Sequence, residues 1–88
     1  MKILFNNQQL YDYLMSLNSG LGKRGLQELS DSVLFASRHA SGMGTEFLGE
    51  SRIALRRVLR EGRAALTSQE QDDIRNVLEQ LDAALDRR

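Results

Sequence analysis

Apolar residues recur at intervals of three and four in four separate stretches of this chain, and no proline interrupts any of them. That spacing stacks apolar side chains along one face of an α-helix, whereas a half-buried strand needs strict alternation. Leu10, Leu14 and Leu17 make the first stripe, widened by Tyr11 and Tyr13. Leu26, Leu29, Val33, Ala36 and Ala40 make the second, with Leu34 and Phe35 beside it, so that this helix reads as the central and most buried element. The third inward face is Phe47, Leu48, Ser51, Ala54, Leu55, Val58 and Leu59. The fourth, near heptad spacing, is Ile74, Val77, Leu78, Leu81, Ala84 and Leu85. The expected fold class is all-α: a small four-helix bundle with helices over approximately 7–17, 25–40, 45–62 and 68–86, joined by short loops. Residues 1–88 read as a single helical domain, with a dimer of helical hairpins as the variant architecture.

Local signals set the expected boundaries. Asn6 is placed to cap the first helix, with Gln9 at its third position and Phe5 able to staple onto Leu10. Asn18-Ser19-Gly20 reads as its stop, and residues 18–25, with three glycines, read as the clearest loop. Gly42 is a natural left-handed cap after the second helix, Thr45 an N-cap for the third, and Gly62 its stop. Thr67-Ser68-Gln69-Glu70 is a capping box, the best-specified helix start in the chain. Residues before Asn6 are open between a short strand and a frayed end.

Much chemistry is excluded by composition. The chain has no cysteine, which removes disulfides, thiolate metal sites and cysteine nucleophiles. Its formal net charge is zero, which argues against a nucleic-acid binder driven by global charge. The apolar run Met1-Lys2-Ile3-Leu4-Phe5 is too short for a signal-peptide core or a membrane span, so the expected location is cytoplasmic, with no membrane partner. Gly20-Leu21-Gly22-Lys23-Arg24-Gly25 spells a dinucleotide-binding fingerprint, but that motif works between a strand and a helix in a parallel sheet, a context missing here. A weaker version survives, in which amides at the start of the second helix hold an anion with Lys23 and Arg24. His39 is the sole histidine, and neither a hydrolase triad nor a structural zinc site is built from one imidazole. No catalytic residue, cofactor or metal is therefore assigned.

One surface stands out. Arg52, Arg56, Arg60 and Arg63 fall within about an 80° arc of the third helix at 100° per residue, and Gly49 lies in the same arc. Residues 45–66 carry five arginines against three glutamates, a net +2, and residues 67–88 carry six acidic residues against three arginines, a net −3. The two helices either neutralise each other along a flank or offer the arginine stripe to an acidic partner. The leading expectation is a non-enzymatic protein–protein interaction module, a small regulator or inhibitor that masks an unidentified protein partner through Arg52, Arg56, Arg60 and Arg63. The alternative is a nucleic-acid or anion binder using the same stripe. Nucleic acid is the weaker reading, since four phosphate contacts give a salt slope of only about −3.6 and no aromatic side chain sits among the arginines to stack a base. A homodimer is a separate expectation, through the apolar N-terminal run or the near-heptad final helix.

Overall fold

A computed structural model describes residues 6–40 and 45–86. Its elements are α1 (Asn7–Lys23), α2 (Gln27–Ser37), α3 (Glu46–Glu61), a 3-10 turn (Arg63–Ala65) and α4 (Ser68–Asp86). There is no strand among the described residues. Side-chain pairs show that each helix runs antiparallel to its neighbours. Ser30 of α2 meets Asn18 near the end of α1, Arg57 near the end of α3 meets Glu28 and Ser32 near the start of α2, and Arg52 of α3 meets Asp82 near the end of α4. The expected four-helix bundle is the observed one.

Its core takes side chains from every helix. Leu14, Val33, Leu55, Ile74 and Val77 are completely buried, and Phe47 and Val58 are nearly or fully so. Tyr11, Tyr13, Leu17, Leu26, Leu48, Leu59 and Leu78 pack around this centre. The α4 seam expected to offer a dimer contact spends Ile74, Val77 and Leu81 on the chain's own core. The N-terminal run, the Phe5 staple and the Gly42 cap lie outside the described residues.

Helix α1 is longer than its stop signal suggests. Asn6 caps it, its side-chain Oδ1 accepting from the Gln9 N–H at 2.9 Å, but the helix passes through Asn18-Ser19-Gly20 and ends at Lys23. Leu21 is the reason: it continues the Leu14–Leu17 stripe by one more helical step and is buried. Burying a leucine contributes about 1.5–3 kcal/mol, which exceeds the roughly 1 kcal/mol that a helical glycine costs. The true loop is only three residues long. Gly25 sits at φ +76, Leu26 N–H donates to the Leu21 carbonyl at 3.0 Å and Gly25 N–H to the Gly22 carbonyl at 3.1 Å, the paired bonds of a Schellman cap.

Helix α2 is shorter than expected, but its buried face is the one its spacing predicts, widened by two serines. Ser30 and Ser37 are buried alongside Leu29, Val33 and Ala36, because their small side chains let α2 approach α1 closely. A Cβ on Gly22 would lie 3.6 Å from the Ser30 Oγ. Both hydroxyls are satisfied, Ser30 donating to Asn18 and Ser37 to the Leu34 carbonyl. Turning the serines inward turns Phe35 outward, where it is 55 % exposed. With five of its eleven residues buried, α2 is still the element with the largest buried share, as expected.

The capping box of α4 forms as read: Glu70 N–H donates to Thr67 Oγ1 at 3.1 Å and Thr67 N–H to Glu70 Oε1 at 2.8 Å. Glu70 also receives two bonds from the Arg24 guanidinium, at 2.9 and 2.7 Å, and Arg24 reaches the Ala65 carbonyl as well. One carboxylate thus starts α4 and ties it to the end of α1. Those donors, Arg24 first and the Thr67 amide second, hold the Glu70 carboxyl at about 2, below its ordinary 4.5.

A Cβ on Gly62 would come within 2.9 Å of Leu29 Cδ1 and 3.0 Å of the Val58 carbonyl, whereas one on Gly20 meets nothing within 4 Å. Gly62→Ala should lose about 1–3 kcal/mol to overpacking, and Gly20→Ala should gain about 0.5–1 kcal/mol of helix stability, both read from urea unfolding. For Glu70, a depressed carboxyl stabilises the fold above its ordinary pKa of 4.5 and loses that contribution as pH falls towards about 2. The stability gap between wild type and Glu70→Gln should be widest above pH 4.5 and close across that window; a gap independent of pH contradicts the clamp.

Candidate interaction surface

The outward side of α3 is set by what its inward side buries. With Phe47, Ser51, Ala54, Leu55 and Val58 buried, a rotation of about 100° per residue leaves Gly49, Ile53, Arg56 and Arg60 facing away from the bundle. Arg52 leans towards α4, and Glu50 and Arg57 lean towards α2. The arginine stripe therefore exists as read through Arg60. Arg63 does not belong to it, because α3 ends at Glu61 and Arg63 opens the 3-10 turn. There its carbonyl accepts from the Gln71 side chain.

Half of the stripe is neutralised within the chain. Asp82 of α4 accepts from both Arg52 and Arg56 at 3.2 Å, and Asp86 lies 4.0 Å from Arg52. Among the described residues Arg60 pairs only with its neighbour Glu61, and it stays 72 % exposed. On the other flank Arg57 braces α3 to α2: it donates to Ser32, lies 3.7 Å from Glu28 and bonds Glu61 one turn on. Arg24, offered by the sequence as an anion ligand with Lys23, is instead held by Glu70.

Beside the stripe is a feature that the sequence did not assign. A groove of about 520 Å³ runs between α2 and α3, with Phe35 on one wall, Ile53 on the other and Ala54 and Ser32 at its base. Phe35 and Ile53, at 55 % and 61 %, are the large apolar side chains most open to solvent among the described residues. Glu28, Asp31 and Glu50 rim the groove together with Arg57. His39 meets the Phe35 ring edge-on, centroids 5.1 Å apart, while its Nδ1 lies 3.2 Å from the Phe35 carbonyl. That contact gives the imidazole a packing role against the aromatic wall. Ile53 reads from the sequence as an isolated exposed residue; α2's inward serines, spaced at 30, 33 and 37 with Val33, were the signal that Phe35 would join it outside.

Other polar features are accounted for locally. Tyr13 is pushed above the usual phenol range, first by burial and then by the nearby Asp73 and Glu70 carboxylates. Gly20 and Gly22 lie within α1, so the glycine motif forms no phosphate-cradling loop between a strand and a helix. Among the described residues no three His, Asp or Glu side chains gather where a metal ion could be held, and no helix is long and apolar enough to cross a membrane. No family model, curated protein or solved structure matches the chain.

The neutralised half of the stripe can be released. Asp82→Asn should lower stability by less than about 1 kcal/mol, the range of an exposed pair, and lengthen retention on immobilised heparin because Arg52 and Arg56 lose their shared acceptor. Unchanged retention would mean that Asp82 does not mask those charges.

Proposed function

We propose that this chain is a non-enzymatic protein–protein interaction module whose contact surface is the outward side of α2 and α3. The observation that carries the reading is the pair Phe35 and Ile53, the most exposed large apolar side chains among the described residues, standing on opposite walls of one groove. Single exposed apolar residues are ordinary on soluble proteins. Two of them converging over a concave, charged-rimmed surface resemble the apolar centre and polar rim of a protein interface. Arg56 and Arg60, on the far side of Ile53, supply the charged border that the sequence reading assigned to partner contact. Arg52 contributes less, being turned towards Asp82 and Asp86.

The nucleic-acid or anion reading draws weaker support. A phosphate-binding surface needs cations free of local carboxylates, and Arg52, Arg56 and Arg24 each already face one.

Tagged protein recovered from its native cells, with the proteins bound to it, tests the reading. Phe35→Ser and Ile53→Ser should each change stability little, since both positions are exposed, and should each weaken partner retention at least about tenfold, as truncation of an interface anchor does. Partners retained equally by both variants would refute this surface.

A further inference from the structure

Beside Ile53, the α3 charges left most open are ordered along the chain: Glu46 and Glu50 lie in the half before it, and Arg56 and Arg60 in the half after it. Arg52, also before Ile53, is turned to Asp82 and Asp86, and Glu61, after it, is taken by Arg57 and Arg60. Glu46 and Arg60 stand seven residues to either side of Ile53, and Glu50 and Arg56 stand three to either side. Among the described residues neither Glu46 nor Glu50 has an ion-pair partner, although arginines are plentiful nearby. Arg56 and Arg60 remain 54 % and 72 % exposed despite their intrachain pairs, so each guanidinium, with its five N–H donors, still has several pointing to solvent.

Gly49 adds an independent observation. It lies inside α3 on this outward face, and a Cβ there would meet nothing within 4 Å. A glycine costs a helix roughly 1 kcal/mol relative to alanine, and nothing among the described residues requires one here, neither a positive φ nor a close neighbour. A second helix laid closely across this face would use the missing side chain.

We infer that the partner of this surface is a second copy of the same chain, docked with the two α3 helices antiparallel and Ile53 near the two-fold axis. This deepens the interaction reading above and rests on it. A two-fold interface must be its own complement, because each residue of the patch meets the patch again in reverse order. The order acid, Ile53, base meets that condition: the acidic half of each α3 lies along the basic half of the other, and the groove beside Phe35 receives Ile53 of the second copy. A parallel arrangement sets like charges together. A uniformly charged partner is repelled by one half of the helix. A dimer interface of ordinary size takes about 800 Å² from each partner, which one broad side of a molecule 36 × 24 × 18 Å can supply.

Sedimentation equilibrium of the purified full chain, from micromolar to millimolar concentration, is the test. The wild-type mass should rise from that of one chain, 10.0 kDa, to twice that value. Ile53→Arg should weaken self-association at least about thirtyfold, the scale of a central hot spot, with an unchanged circular-dichroism spectrum. Glu46→Arg/Glu50→Arg and Arg56→Glu/Arg60→Glu should each remain single chains alone and recover the doubled mass when mixed. Because Arg56→Glu also sets a carboxylate against Asp82, the mixing is repeated with Glu46→Arg and Arg60→Glu as single substitutions. Wild type that stays at one-chain mass at millimolar concentration, a dimer indifferent to Ile53→Arg, or folded charge variants that fail to associate when mixed each overturn the proposal. A monomeric wild type leaves the wider interaction reading to its own capture experiment, which uses Phe35→Ser and Ile53→Ser and does not depend on self-association.

Discussion

The burial of one shared interior is the constraint on which everything else in this molecule depends. Helices in proteins draw most of their stability from packing an apolar face, and each helix here supplies at least one side chain that is wholly enclosed: Leu14, Val33, Leu55 and Ile74. Where burial and local preference conflict, burial decides. It carries α1 through two glycines to place Leu21, and it turns Ser30 and Ser37 inward so that two backbones approach. The exposed Phe35 and the groove it borders are thus by-products of how α2 meets α1.

Electrostatics act after packing and divide the surface into closed and open parts. Glu70 and Asp82 each gather cations from another helix, and Arg57 is shared among Glu28, Ser32 and Glu61. These contacts hold helix against helix around the edges of the bundle. They leave the outward side of α3 partly open, where Arg56 and Arg60 stay largely exposed beside their intrachain pairs. A charged face that its own chain has only half neutralised, with apolar side chains at its centre, is the basis for reading this side as the one that meets another protein.

Much of the architecture was legible because it is written in local patterns. The Thr67–Glu70 box needs residues three apart, and the Asn6 cap needs the same, so both could be read directly. The stripes of α3 and α4 predicted the buried residues because helical rotation is regular. Non-local geometry was not legible. The bond from Arg24 to Glu70 joins residues 46 apart, so the sequence assigned Arg24 to a solvent anion. Polar stop signals at 18–20 were outweighed by a leucine beyond them. The arginine line was read correctly up to Glu61 and then extended one residue too many, because the helix stops where Gly62 must press against Leu29. The groove was missed because its walls belong to different helices, and no periodicity within one helix reveals what stands opposite another.

The antiparallel order has a kinetic corollary. Successive helices pack on their sequence neighbours, so most of the interior assembles through short loop closures, the arrangement associated with rapid folding. The Arg24–Glu70 bridge stands apart because it spans two intervening helices. Interactions absent from the transition state govern how fast a protein comes apart more than how fast it assembles. To the extent that this ion pair closes only after the transition state, it acts less as a guide to the bundle's formation than as a brake on its loss.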